Sequence, residues 1–373
     1  LAPFYTHNQI RTTVEYFTDE IWLDGAFMTV KRAASHSAML RSLRCAPSSQ
    51  LLAALASPTN IFAPAGTPAH SIFSLSMLVL GFTLALFIVV AGLLLFVLFR
   101  YRHRVSDPLA EQEPAQIYGS KQIELSWTVI PVLIVVMLFL ASARVIFSTE
   151  SAVKPRAALD VIVVGHQFWW EYRYPSLGII TANELHIPIS DPKQPRPTYL
   201  TMSSADTDHS FWIPRLAGKT DLIPDRVTTM WLDPSDSGLY LGQCAQYCGT
   251  QHAKMLLRVY ADTPAEFAAW KERESQPAVH DPNASAGEAV FEHNACISCH
   301  TIRGTSGTGR FGPDLTHIAS RDTIASGAVP NTLANLRAFV NEPGHFKPGV
   351  LMPPMHLNER DLDAVTTYLT TLK

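Results

Sequence analysis

Two stretches of this chain carry no ionisable side chain: residues 72–99, 28 in a row, and residues 125–143, another 19. A helix needs about 20 apolar residues to cross about 30 Å of hydrocarbon, and backbone polar groups in lipid must be satisfied within the segment. A buried core helix is the competing reading, but such helices rarely run 28 residues without a charge. The second stretch holds Pro131, which a membrane helix tolerates better than a soluble one. Both stretches are read as spans, roughly 72–99 and 125–147, of a transmembrane hairpin over residues 70–150. Arg100, Arg102, Arg104 and Lys121 lie between them, whereas residues 46–71 contain no Lys or Arg. The positive-inside rule therefore puts the connecting loop in the cytoplasm and the long C-terminal part on the other side, although Arg144, Lys154 and Arg156 weaken the asymmetry.

Residues 1–69 are read as an N-terminal extension or possible signal region. The chain opens on Leu1, Met28 or Met39 is a candidate start, and Arg41 and Arg44 precede a short apolar run at 51–56. Cys45 follows Arg44 directly and is read as incidental. The whole chain of 373 residues has 29 basic and 32 acidic side chains, a net charge of −3. That balance gives no sign of a nucleic-acid partner.

Residues 151–275 change pattern. β-branched and aromatic runs at 159–164, 168–174, 184–189, 197–203, 228–232 and 255–260 alternate with Pro, Gly, Asp and Ser clusters. This predicts a small all-β sandwich or barrel, followed by a short helix at 265–274. Residues 276–286, with Pro277 and Pro282, read as a linker. From 287 to 373 the period becomes helical: Leu333, Leu336, Phe339 and Val340 suit one face, and Leu362, Val365, Tyr368 and Leu369 another. A helical domain of this size is small enough for a cofactor to supply part of its core.

Four of the five cysteines fall in two tight pairs. Cys296-Ile297-Ser298-Cys299-His300 is the attachment sequence for c-type haem: two thiols bond the vinyl groups and the adjacent imidazole reaches the iron. A thioredoxin-like or half-zinc reading lacks its second half here. Met352 is the expected sixth ligand, with Met355 second, and the Pro313 carbonyl is placed to accept the imidazole N–H. His293, His317, His345 and His356 are expected at the surface.

The second pair, Cys244 and Cys248, is followed by His252 and Met255, with His209 lying 35 residues before Cys244. Two thiolates, two imidazoles and a thioether suit copper; zinc would use the first four and ignore the methionine. Two cysteines in one loop can bridge two copper ions. A Cys244–Cys248 disulfide is the third possibility.

Taken together, Gly165-His166-Gln167-Phe168-Trp169-Trp170, His209-Ser210-Phe211-Trp212, the 244–255 cluster and the CxxCH domain resemble subunit II of haem–copper cytochrome c oxidase, of the caa type with a fused cytochrome c domain. The resemblance covers residues 70–373. It implies a transmembrane hairpin, an all-β cupredoxin-like sandwich and an all-α class I cytochrome c domain. It implies dinuclear CuA held by His209, Cys244, the Gln246 carbonyl, Cys248, His252 and Met255. Electrons would pass from covalent haem c through CuA to a haem in subunit I, where dioxygen is reduced and protons are moved. Subunit III, an external donor (cytochrome c or a quinol:cytochrome c reductase) and a bacterial inner membrane, with the C-terminal domains periplasmic, are implied too. Glu124 matches the family carboxylate at a proton-channel mouth. Phe168 aligns with the tryptophan where electrons enter, and Trp169 and Trp170 follow it. Gln246 replaces a glutamate that helps bind magnesium, which puts a magnesium role in doubt. A flexible linker would keep the haem domain near the copper site at millimolar effective concentration. A membrane-anchored carrier for another acceptor, such as a nitric oxide reductase, is the alternative; a quinol oxidase subunit conflicts with intact copper ligands and a haem c domain.

Overall fold

The computed structural model describes residues 57–102, 118–150, 154, 158–190 and 196–373. The start-site and Cys45 readings fall outside the described residues.

Helices α1 (Thr67–Arg100) and α2 (Lys121–Glu150) cover the two uncharged stretches and extend past both. Pro68 opens α1, where its missing N–H costs nothing, and Pro131 lies inside α2. Apolar side chains face outward all round both helices, and nothing in α2 is buried. Such surfaces suit lipid, not water. One end of each helix is tied to the next domain. Thr67 N donates to Asp233 O (3.2 Å), and the Trp231 indole N–H donates to Thr149 O (2.8 Å). Gly66 fits only because it lacks a Cβ, which would lie 2.8 Å from Leu216 O.

A two-sheet sandwich follows. One sheet, in spatial order β3-β2-β1-β5-β8, uses β1 (Asp160–His166), β2 (Trp169–Tyr174), β3 (Ile179–Ala182), β5 (Thr198–Ser204) and β8 (Thr228–Leu232). The other, β4-β10-β9-β6-β7, uses β4 (Glu184–Pro188), β6 (His209–Trp212), β7 (Thr220–Leu222), β9 (Gly238–Cys244) and β10 (Leu256–Asp262). Alternation puts Val161, Val163, Leu200 and Met202 of one sheet against Leu185, Ile187, Leu257 and Val259 of the other. Four strands (β3, β6, β7 and β9) are additional to the sequence expectation. Helix α3 (Pro264–Ser275) starts on a Thr263–Glu266 capping box and packs Trp270 against Tyr174 and His186.

The C-terminal domain is built on the crossing of α4 (Ser285–His293) with α8 (Glu359–Thr371), around α5 (Cys296–Cys299), α6 (Leu333–Asn341) and α7 (Pro343–Phe346). Its core gathers Phe291, Ile302, Leu336, Val365, Tyr368 and Leu369. The short hairpin β11 (Thr323–Ile324) and β12 (Val329–Pro330) departs from an all-helical expectation.

The stretch expected as a flexible linker is bonded. A 3-10 turn (Pro282–Ala284) and the start of α4 fall inside it, Ala278 N donates to Arg303 O, and Arg303 also donates to Glu274 O and Ser275 O. His317, expected at the surface, is buried, with Nε2 3.0 Å from the Gln276 carbonyl. His293, His345 and His356 are exposed.

Candidate metal and haem sites

The 244–255 cluster closes on itself at one end of the sandwich. β6 begins with His209, β9 ends with Cys244, and a loop with a 3-10 turn (His252–Lys254) returns the chain to β10 just after Met255. Backbone bonds fix the loop: Cys244 N to Met255 O and Ala245 N to Ser210 O, both 2.9 Å. The two Sγ atoms are 3.9 Å apart, so the pair is not a disulfide, whose sulfurs would lie ~2.05 Å apart. Each sulfur has its own imidazole. His209 Nδ1 lies 3.9 Å from Cys244 Sγ, and His252 Nδ1 lies 3.9 Å from Cys248 Sγ. Met255 Sδ sits 3.8 Å from Cys248 Sγ and the Gln246 carbonyl 3.1 Å from Cys244 Sγ. Six donors thus divide into two halves about one sulfur–sulfur edge. Two soft ions bridged by both thiolates fit that division, whereas one tetrahedral zinc would leave the thioether and the carbonyl unused.

Charge and orientation support a metal there. The Cys248 side chain holds the Cys244 thiol far below the ordinary range, and the same contact pushes Cys248 up, so one sulfur ionises readily. His209 is fully buried and donates from Nε2 to Asp206 (2.8 Å), which leaves Nδ1 facing the sulfur. Gly165 gives this ring room, since a Cβ there would lie 2.8 Å from its Cδ2. Asp206 was not foreseen; its position three residues before His209 was the available signal.

The second site is an apolar cavity of about 170 Å³. Cys296, Cys299, His300, Met352 and Met355 all line it. His300 Nδ1 donates to Pro313 O at 2.8 Å, which fixes the ring, and burial lowers its pKa, favouring the neutral form a metal requires. Gly312 lies flat against that ring: a Cβ would come within 2.5 Å of His300 Cε1. Two free thiols, a fixed neutral imidazole and two thioethers around an apolar cavity fit a covalently held haem.

Comparisons with known proteins find matches for all three parts of the chain. Residues 56–145 match the family described as "Cytochrome C oxidase subunit II, transmembrane domain", and residues 181–261 match "Cytochrome C oxidase subunit II, periplasmic domain". Residues 284–373 match "Cytochrome c". The "Cytochrome c oxidase subunit 2" of Alkalihalophilus pseudofirmus is 33% identical over 318 residues, 83% of this chain and 90% of the relative. The chain belongs to the cytochrome c oxidase subunit II family. The "Cytochrome c oxidase subunit 2" of Bacillus sp. (strain PS3) is 32% identical over 70% of this chain and 77% of its own length. Among solved structures, the periplasmic domain of subunit II of cytochrome oxidase of Bradyrhizobium japonicum is 27% identical. It covers 33% of this chain and 96% of its own, with a TM-score of 0.30.

As a subunit II with a cytochrome c domain, the chain brings its two sites together through the β1–β2 turn. Gln167, Phe168 and Trp169 form part of the haem cavity wall, although they belong to the sandwich. Phe168 is buried, and its ring lies 3.1 Å from where a Gly249 Cβ would stand. Gln167 Nε2 donates to Cys248 O (2.6 Å), and its backbone N–H donates to Asp206 (2.5 Å). Trp169 stacks on His166. Trp170 stands apart from the cavity, in the sandwich core, edge-on to His209 with centroids 5.9 Å apart. Glu124 is exposed in the first turn of α2 and does not line the haem cavity. Gln246 offers its carbonyl to Cys244 while the residue itself is exposed.

Proposed function

We propose that this subunit carries electrons from an external donor to an oxygen-reducing partner chain through two sites in series. Cys296, Cys299 and His300 would hold a covalent haem, and Met352 would be its further ligand, with Met355 the second thioether on the same wall. His209, Cys244, the Gln246 carbonyl, Cys248, His252 and Met255 would hold a copper pair. When bound, the haem and the copper pair supply the one-electron carriers. The protein's own part is to fix both ligand sets and to keep the gap between them short, rigid and dry. Asp206 and Pro313 set the two imidazole orientations. Phe168 closes the haem cavity on the side of the copper ligands.

One observation carries this reading. The residue next to Phe168 in the cavity wall, Gln167, is bonded directly to the backbone of Cys248. The copper pair would pass electrons to a haem in a partner subunit I, which would supply the reduction of dioxygen to water and the proton translocation. Phe168 and Trp169 are the residues between the two sites, and Glu124 would stand at a proton path only against a partner chain. The sandwich and haem domain face the extracytoplasmic side of a bacterial inner membrane, with the loop around Arg100 and Arg102 inside.

Metal analysis of the purified full chain tests the proposal. Two coppers and one iron per chain are expected, together with a large polytopic subunit copurifying from native membranes. One zinc and one iron, with no copper after copper supplementation, would refute it.

A further inference from the structure

Lys347 lies between α7 and the segment that carries Met352, and only 3% of its surface is exposed. Its ammonium crosses into the sandwich and donates to the Phe168 carbonyl at 2.5 Å. Among the described residues it makes no ion pair. Burial lowers its pKa to about 7. A buried cation with one carbonyl for a partner costs free energy, so this lysine needs a reason to be inside; Lys219 and Lys271 remain exposed.

Its surroundings give the reason. The copper-ligand loop grips the carbonyls on either side of Lys347: Gln251 donates to Pro348 O (2.6 Å) and Lys254 to Phe346 O (3.0 Å). At a second place on the same boundary, Glu184 accepts from Thr323 N (2.9 Å), and Leu256 N donates to Ser326 O (3.2 Å). The haem domain is therefore seated through two separate sets of contacts, and Lys347 is a buried part of one of them. The carbonyl it holds belongs to the residue whose ring walls the haem cavity.

We propose that Lys347 is a positioning residue for haem-to-copper electron transfer, a plug that locks the haem cavity onto Phe168 and so fixes the short route through Gln167 to Cys248. The inference rests on the reading that one electron passes between these sites; no bond forms or breaks, and no proton moves with it. Electron transfer falls steeply with distance, so an unplugged haem domain transfers slowly even when both sites are intact.

Two measurements on the full chain test it. Under mild amine acetylation, Lys219 and Lys271 are modified and Lys347 is spared; labelling of Lys347 as fast as Lys271 overturns the seating. Lys347→Met keeps the haem and copper absorption spectra. It speeds amide exchange of residues 165–170 and 346–350 by roughly tenfold or more, and slows light-triggered haem-to-copper transfer by roughly tenfold or more. Lys347→Arg, which restores a donor, recovers both. Wild-type transfer in Lys347→Met overturns the proposal, as does slowed transfer with unchanged exchange. If Lys347→Met does not fold, the acetylation pattern and Lys347→Arg decide. Failure of the electron path itself shows separately, as absent copper or absent transfer in the wild-type chain, because acetylation and exchange need neither.

Discussion

Asp206 reaches three partners at once, the Nε2 of His209 and the backbone N–H groups of Gln167 and Thr207. One carboxylate thereby orients the imidazole proposed as a copper ligand and pins the loop that separates the two sites. Partners of this kind are worth about 10–100-fold in metal affinity. Asp206→Ala is expected to weaken copper binding by about that factor in a competitive chelator titration, with the haem spectrum unchanged. Glu171 is a second carboxylate whose surroundings set its charge. Burial alone would raise its pKa, but the hydrogen bonds from His166 and Arg173, with the guanidinium charge, prevail and hold it at about 2. A lowered carboxylate stabilises the fold fully above its unfolded value near 4.5, and that contribution is lost as pH falls through about 2. The full shift corresponds to on the order of 3 kcal/mol. Denaturant titrations between pH 5 and pH 2 should show the wild-type sandwich losing stability steadily across this window, while Glu171→Gln shows a flatter profile. Residue identity told part of this in advance. The cysteines, His252, Met255 and the CxxCH run announced themselves by spacing, whereas Asp206, Gln167 and Lys347 act through contacts made far along the chain.

Elements were legible where their periodicity was long. Leu362, Val365, Tyr368 and Leu369 stand on the buried face of α8 as the spacing requires. On α6, Leu336 and Val340 are buried but Leu333, in the first turn, is exposed. Strands β6 and β7 have four and three residues, too few for alternation to register. β9 is broken up by glycine, and Gly242 is there because Trp212 O would lie 2.4 Å from a Cβ. The crossing of α4 and α8 depends on the same economy: a Cβ on Gly287 would stand 2.0 Å from Ala364 O. Alanine has the better helix propensity, but the backbone contact forces the helices apart at a cost of about 1–3 kcal/mol. Gly287→Ala is expected to lower the denaturant midpoint of the haem domain while leaving the unfolding of the sandwich in place. An unchanged midpoint would show that the crossing has slack.

At the scale of the molecule, sequence composition misjudged the connection between domains. Prolines and small polar residues at 276–286 look like a tether, yet Arg303 and His317, many residues downstream, bind its backbone. Composition cannot reveal bonds supplied from elsewhere. The consequence for electron transfer changes in kind: the haem domain is held by direct contact, without relying on a tether's effective concentration. Among the described residues no salt bridge joins the haem domain to the sandwich. The charged side chains that cross meet backbone groups or neutral hydroxyls, as Lys347, Glu184 and Asp322 do. Salt screens exposed charge pairs, so a seat of this kind should resist it. The most direct measurement is to photoreduce the haem in the full chain and follow haem and copper absorption together. The haem is expected to be reoxidised as the copper is reduced, in one phase, at a rate independent of protein concentration and nearly unchanged between low and high salt. A haem that stays reduced, or a rate that rises with protein concentration or falls steeply with salt, would contradict it.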